Sequence, residues 1–572
     1  MANKLIDYHT PEKITRRFES LKTQKAAILE DLRVIDKYVN ARETAGDEMS
    51  LIKLVNRELF DSTARKANKL MASIIVGMLW SGATRSIRLE PPEELPDNQA
   101  NREYYDFVTR EMARTMDDPR SGFSMAMNEY MKDQGSYGTS GLYSEEAPDD
   151  DPIDVLFQAW GLKSLVINEG SNGFVDTVYR EFEWPINKAV KEYGLDNLSD
   201  ENKDKFLNNH GHEKMRILHA IEPRVGRTSD DPSNQNMPWA SIHFESKSKK
   251  ILRTSGFAEI PVKIARFDKM SEDLYGRSPA MDALSDILEL DGIWESLTLA
   301  IEKNLDPPIV VLDDGRLGAD KIDTSPKAIN VFRITGRIGN QPPVSPMFTV
   351  GEMKSTQELV TVLVDSIMQH FLIDRLLDLN NETQMTLGEA QIRNSIRGTL
   401  LGSVFDRQIT EMLTPTIQRT FNIKLKRGSL GVIRGSEDEQ ILIAKGKQPV
   451  YIPDDVAKLI LDGKDVYRIA YFTPAMRMLR AEQAQGILQT WNFVKDVSQG
   501  KPSAMDNFDE DKAVREVAEI AGAPAKILKD FKSMIKERQM RTQMVEQQEQ
   551  TAQLEQAANI AQVATKAAAN VT

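Results

Sequence analysis

The chain has 572 residues, 40% of them hydrophobic, no Cys, and a formal net charge of −13. Without Cys there are no disulfides, thiolate metal sites or Cys nucleophiles, and the composition fits assembly in a reducing cytosol. An acidic chain is poorly suited to gripping nucleic acid by phosphate neutralisation, although nucleic acid can slide past it.

The N-terminal stretch MANKLIDYHTPEKITRRFES has no apolar signal core. The longest mostly apolar run, MASIIVGMLWSGA at 71–83, is too short to span a bilayer and reads as a buried helix. Residues 11–80 are predicted to be helical, with Pro11 at a first helical position and Ile14, Phe18, Leu21, Ile28, Leu32 and Ile35 at near-helical spacing. Helices resume at 99–134, divided at Asp117-Asp118-Pro119. From 136 to 268 the texture changes to short β-branched and aromatic runs between Gly, Asn and Asp turn signals. That pattern predicts strands, interrupted by one helix from Pro185 to Tyr193 that Gly194 closes.

A long helix is expected from Ser278-Pro279 to Pro307-Pro308, with Leu284, Ile287, Leu288, Trp294, Leu297, Ile301 and Leu305 along one stripe. Leu290, Ile293 and Leu299 form a second apolar set, which calls for neighbours on more than one side. Residues 309–350 read as a small Gly/Pro-punctuated unit with strands at IVVL and INVFRI. A second long helix is expected from about Glu352 to Leu379, with Leu359, Val362, Leu363, Ser366, His370 and Ile373 on one face. A third spans about 386–425, kinked or split by Pro415. Strand-like pieces follow at 441–452 and 466–472, then helices at 475–499, 508–521 and 524–541. The Gln/Ala-rich tail from 542 is either a frayed terminus or a helix ordered by packing against identical copies.

No catalytic constellation stands out. The P-loop pattern is absent, and GKQP and GKDV lack its leading Gly spacing and hydroxyl. His210-Gly211-His212-Glu213 lacks the helical spacing of a metal pair, and a surface turn is the better reading. His370 reads as a satisfied interface histidine. The acidic run APDDDPID at 147–154 could hold a divalent cation but reads better as a solvated loop. GTSG at 138–141 falls one residue short of G-x-S-x-G, so a serine nucleophile has no support.

Between the second and third long helices lies Asn380-Asn381-Glu382-Thr383-Gln384, a soft polar loop without acid–base or nucleophilic residue types beyond one Glu. Loops held by rigid helices commonly carry function. Two stalk helices with apolar faces on more than one side would be exposed in a lone subunit. Identical copies related by rotation would bury those faces and close a ring. With twelve stalks about 10 Å apart, the ring is roughly 38 Å across with a hole of about 28 Å. The polar loop would project into it.

Four stretches carry a family resemblance: DTVYREFEWPINKAVKEYG (176–194), YGRSPAMDALSDILELDGIWESLTLAIEKNLDPPIVV (275–311), QMTLGEAQIRN (384–394) and LLGSVFDRQITEMLTPTIQRTF (400–421). Over about residues 10 to 500 the chain resembles the portal, or head-to-tail connecting, proteins of short-tailed podovirus-type bacteriophages. The resemblance implies a mainly helical α+β ring subunit with a helical wing, two-helix stem, small α/β clip and helical C-terminal crown. Residues 1–275 would be the wing, helical first and β-rich from about 136. The first stem helix would be 276–305, the clip 306–351, the second stem helix 352–379 and the tunnel loop 376–390. Residues 391–475 would be the long kinked helix with further wing strands, and 476–541 the crown. Residues 542–572 would be a helical or disordered tail that could extend the crown as a barrel.

The implied function is a dodecameric ring at one capsid vertex, the channel for packaging and ejecting double-stranded DNA. Its implied partners are its own copies, the major capsid and scaffolding proteins, the terminase large subunit, the tail adaptor and tail proteins, and passing DNA. No cofactor, metal, catalytic residue or membrane span is expected; the location is the virion, and the host cytoplasm during assembly. The residues singled out are Asn380, Asn381, Thr383 and Gln384 for the channel. Leu284, Ile287, Trp294, Leu297, Ile301, Leu359 and Leu363 are assigned to stem packing, and Pro307, Pro308, Arg316, Lys321 and Arg333 to the clip. The rival reading of another class is a phage enzyme or injected internal virion protein, a carboxylate-based hydrolase.

Overall fold

Pro11 stands at the first position of helix α1 (Pro11–Tyr38), where its missing N–H removes no helical hydrogen bond. The computed structural model describes residues 7–44, 52–54, 59–80, 86–96, 98–148, 151, 153–227, 236–313, 323, 325, 327–333, 344–346, 354–377, 401–444, 448–520, 534, 537–541 and 543–544. They belong to two units, Met1–Met478 and Leu479–Thr572.

In the first unit α1 serves two cores. Ile14 and Phe18 lie on a β-sheet, while Leu32 and Ile35 enter a helical core further along the same helix. A small antiparallel pair that the helical periodicity does not announce, β1 (Arg42–Thr44) and β2 (Ile52–Leu54), comes next. Helix α2 (Thr63–Leu79), strand β3 (Ile87–Glu90), helix α3 (Gln99–Asp117) and helix α4 (Phe123–Tyr137) follow. Asn98 caps α3 by accepting from Asn101 N at 2.8 Å, a standard N-cap bond.

The predicted strand region is present as β4 (Thr139–Glu146), β5 (Val155–Gly161), β6 (Leu165–Glu169), β7 (Val175–Pro185), β8 (Lys214–Pro223), β9 (Trp239–Glu245), β10 (Ile251–Phe257) and β11 (Val262–Arg266). Strands β6 to β10 form a sequential antiparallel sheet, and β11, β4 and β5 a second one. Side chains alternate across the first sheet as strand geometry requires. Tyr179, Leu218 and Phe244 face α1, whereas Val178 and Ile221 face Tyr143, Trp160 and Ile264 of the second sheet. Helix α5 (Ile186–Tyr193) ends at Gly194, as expected, with φ at 83°. One correction is needed: a second helix, α6 (Asp200–Leu207), also interrupts the strands.

The first long helix is capped by Ser278, makes one turn at Pro279–Asp282, and continues as α7 (Leu284–Leu305). Strands β12 (Ile309–Asp313), β13 (Ile329–Arg333) and β14 (Val344–Pro346) follow. The second long helix is shorter than its periodicity implies: α8 (Lys354–His370) stops, and α9 (Ile373–Leu377) restarts. Leu372 between them is left-handed, with φ at 58°. Phe371 and Ile373 are both buried in the helical core, although in a continuous helix they would point about 200° apart.

Pro415 does not split the third helix. Helical residues 401–408 pass into a π turn at Ile409–Leu413 and on into α10 (Thr414–Lys426). Proline cannot donate to Glu411 C=O and crowds it. The wider turn absorbs both defects, with Thr414 N bonding Ile409 C=O. The strand expected from 441 is instead the end of helix α11 (Glu437–Ala444). Ser436 Oγ accepts from Glu439 N at 3.3 Å, and Glu439 reaches back to Gly435 N at 2.6 Å, a variant of the capping box. Helix α12 (Asp454–Leu461) leads to β15 (Arg468–Tyr471), which pairs antiparallel with β3.

The second unit holds most of helix α13 (Pro474–Gly500), a short 3-10 turn at Pro502–Asn507 and helix α14 (Glu510–Ile520). Trp491 meets Phe508 at 5.4 Å between ring centroids, and Arg538 forms a two-pronged pair with Asp511, both at 2.7 Å. Most of the helix expected at 524–541, and the tail from 545, lie outside the described residues.

Candidate functional site: the helical hairpin and its root

Helices α7 and α8 lie side by side, and their root is locked into the helical core. Ile287, Leu290, Leu363, Ile367 and Phe371 are all buried there, with Leu284, Ile293 and Trp294 packed partly against them. Polar contacts fix the register. Asp286 Oδ2 accepts from Ser366 Oγ at 2.6 Å, with His370 Nε2 3.9 Å away. Asp291 Oδ1 accepts from the backbone N–H of Phe60 at 2.9 Å and of Asp61 at 2.8 Å. It thereby ties α7 to the segment entering α2. Ser278 Oγ accepts from Met281 N at 3.0 Å and donates to Ser136 O at 2.8 Å, joining the root to the end of α4.

Away from the root the hairpin changes character. Leu297 is half-buried, whereas Leu299, Ile301 and Leu359 are exposed, and Leu305 and Val362 stand 76% and 63% open to solvent. Of the seven stem residues expected from sequence, the fold therefore buries Ile287 and Leu363 and half-buries Leu284, Trp294 and Leu297. It exposes Ile301 and Leu359.

At the far end the described residues form a three-stranded mixed sheet, with β12 parallel to β13 and antiparallel to β14, and no helix among them. Pro308 is buried and Pro307 half-buried where α7 gives way to β12. Lys327 closes the junction: its N–H donates to Asp306 O at 3.1 Å, and its Nζ pairs with Asp306 Oδ2 at 3.2 Å. Asn330 bonds Asp323 in both directions at 2.6 Å. Arg333 ends β13 opposite Asp313 in the backbone register. Arg316, Lys321 and all four channel-loop residues, Asn380, Asn381, Thr383 and Gln384, lie outside the described residues.

The helix that follows the loop is anchored by groups that no sequence motif announces. Gln408 and Gln134, both fully buried, bond each other at 2.7 Å and share Tyr130 OH at 3.1 and 3.0 Å. Glu411, in the π turn, holds the buried Arg266, which also pairs with Glu169. A buried polar network is stabilising only when its members satisfy one another, and this one does.

The candidate enzymatic features resolve into structural ones. Ser140 of GTSG is buried and donates to Tyr130 O at 2.9 Å. In the acidic run, Asp149 and Asp150 lie outside the described residues, and Asp154 is held by Lys424 at 2.7 Å and by Ser429 at 3.0 Å. The His210 and His212 rings are 6.1 Å apart, and no group of three potential metal ligands occurs among the described residues. No helix among them is long and apolar enough to cross a membrane.

Among the described residues, then, these buried polar groups partner one another and the distal hairpin leaves apolar side chains open to water, features of an assembly surface. The sequence profile of the family described as "Bacteriophage head to tail connecting protein" matches residues 11–443 and 452–528. The chain belongs to that family, and so is a structural, non-enzymatic component of a phage virion at the head–tail junction. It is 24% identical to the portal protein of Salmonella phage epsilon15 over 528 residues, 90% of this chain and 88% of that protein. It is 27% identical to the probable portal protein of Bordetella phage BPP-1 over 378 residues, 64% of this chain and 65% of that protein.

Proposed function

We propose that this chain closes into a ring of twelve copies at one capsid vertex. Double-stranded DNA would enter through the ring during packaging and leave through it at ejection. In this reading the hairpin is the stem, residues 306–351 the clip that meets the terminase large subunit first and the tail adaptor later, and 376–390 the tunnel loop. Residues 1–275 and 391–475 form the wing, which faces the major capsid and scaffolding proteins during assembly in the host cytoplasm. Residues 476–541 form the crown, and the Gln/Ala tail is its extension.

One observation supports the ring above the others. The distal half of the hairpin leaves Leu299, Ile301, Leu305, Leu359 and Val362 in water, while its root buries Ile287, Leu290, Leu363, Ile367 and Phe371. Apolar area of that kind in a stable protein marks a protein contact, and a stalk whose two different faces fit each other covers it when repeated about an axis. Mass photometry of the purified chain should show particles of about 0.8 MDa, twelve copies of 64.5 kDa. Leu299→Asp combined with Ile301→Asp should reduce these to small species without lowering the melting temperature of the subunit. Monomers and dimers alone from the unaltered chain at micromolar concentration would sink the reading.

A further inference from the structure

A polar row crosses the five-stranded sheet at one register level. Leu165 of β6 stands opposite Arg180 of β7, Arg180 opposite His219 of β8, His219 opposite His243 of β9, and His243 opposite Arg253 of β10. On the same face Val178 and Ile221 belong to the core shared with the second sheet. Phe182 and Ile217 belong to a separate core under α5. The row is thus a seam between two apolar clusters.

Three of its four polar members have a polar side-chain partner, although Arg253 Nε is itself buried without one. His219 Nε2 lies 3.0 Å from Ser241 Oγ, His243 Nδ1 lies 2.9 Å from Tyr193 OH, and Arg253 Nη1 donates to Glu192 Oε1 at 3.2 Å. Arg180 differs. It has neither an ion pair nor a hydrogen-bond acceptor among the described residues, and its Nε is buried with no partner. Two aromatic rings hold it instead. Its guanidinium lies 4.2 Å from the centroid of Trp160, on the opposing sheet, and 5.2 Å from that of Phe182, on its own strand.

We propose that Arg180 is a carboxylate-recognition site that receives an acidic side chain from a partner protein. Arg180 is half-buried with its Nε cut off from solvent, and a buried donor without an acceptor is costly; the two rings flank the guanidinium before any ligand arrives. With its faces against rings, its edge is what remains for a ligand, and that fork matches the two oxygens of a planar carboxylate. One carboxylate neutralises the single charge of Arg180, whereas a phosphate dianion would bring a second negative charge with no cation to meet it, since the other arginine of the row, Arg253, is already paired with Glu192. A single carboxylate on one guanidinium binds weakly when free. The same group carried by a docked chain gains effective concentration, which favours a protein-borne source.

The test uses the full purified chain, with acetate, inorganic phosphate and an acetylated, amidated tri-glutamate peptide, each against sodium chloride at equal ionic strength. Melting temperature and tryptophan emission are the readouts. Acetate is expected to raise the melting temperature and alter the emission beyond chloride, and the peptide to do so at a concentration at least tenfold lower. Arg180→Lys, which keeps the charge and loses the fork, should weaken both responses about tenfold. Arg180→Met should abolish them without lowering the melting temperature, because it removes an unpaired charge. Equal responses in the unaltered chain and Arg180→Met, or no response in the unaltered chain, would overturn the proposal. Phosphate acting more strongly than acetate would overturn the carboxylate assignment, and a peptide no better than acetate the protein-borne source. Should Arg180→Met fail to fold, the comparison of the unaltered chain with Arg180→Lys decides by itself.

Discussion

Arg266 offers three donors to one carboxylate, that of Glu411. Its backbone N lies 3.0 Å and its Nε 3.4 Å from Oε2, and its Nη2 lies 2.9 Å from Oε1. Arg266 ends β11 and Glu411 sits in the π turn, so this contact joins the β part of the first unit to the helix running from residue 401. Arg266 is only 2% exposed. Glu411→Ala is expected to cost about 3–5 kcal/mol, since it leaves a buried guanidinium and a backbone N–H short of an acceptor. Denaturant melts of the two chains measure it. A loss under about 1 kcal/mol would mean that solvent already reaches the pair.

Gly138 and Gly276 cross at contact distance. A Cβ on Gly138 would fall 2.3 Å from Gly276 O, and one on Gly276 would fall 2.5 Å from Gly138 O. Gly138 also has φ at 71°. Each Gly→Ala change should lower stability by about 3 kcal/mol or more through backbone displacement and strain. Gly77→Ala is the contrasting case. It lies within α2 with nothing within 4 Å of its Cβ, and should add about 1 kcal/mol. Thermal melts that rank the three variants in another order would contradict the crossing.

His219 and His243 stack at 3.7 Å with planes 21° apart. Burial, reinforced by Arg253 and Arg180, holds both imidazoles well below their ordinary range; His219 also depresses His243. Unfolding lets them take up protons near pH 6.5, so the unfolded state binds more protons and stability falls as pH drops below that value. The slope approaches about 1.4 kcal/mol per pH unit for each histidine. His219→Gln with His243→Gln should flatten the melting temperature between pH 7 and pH 5.5. A double variant as acid-sensitive as the original would refute the assignment.

The channel loop is expected to govern DNA passage and leave ring formation unchanged. On the proposed reading, Asn381 and Gln384 would offer weak, sequence-blind bonds to phosphate oxygens. Changing both to Lys adds two positive charges per subunit and should slow packaging most at low salt, whereas Ser at both positions should be mild. Packaging in vitro across a salt series compares them; equal rates for the Lys and Ser variants at low salt would place the loop away from DNA.

Periodicity made the long elements legible, because apolar residues at helical or alternating spacing have to be buried somewhere. It located α1, α7 and β12, and the clash at Pro415, but not the π turn that resolves that clash. The break at Leu372 was invisible, since it depends on Phe371 and Ile373 reaching one core from successive positions. Ile441 and Ile443 read as strand, although Ser436 and Glu439 carried the helix-start signal that decides the matter. Asp286, Asp291 and Glu411 were illegible as anchors because their partners lie far away in the chain: a lone carboxylate in a helix looks like any other solvated charge.

The pairing of β15 with β3 sets a timetable for synthesis. Arg468 Nη2 meets Glu90 Oε2 at 3.4 Å across a sequence separation of 378 residues. A ribosome adding about 5–20 residues per second needs roughly 20–80 s to cover that interval. Throughout it β3 waits with an open hydrogen-bonding edge, the kind of edge that pairs with a stray strand. A chain terminated anywhere before residue 468 never receives its own covering strand. Premature termination, even well downstream of the hairpin, therefore leaves a subunit with that edge of β3 open and liable to aggregate.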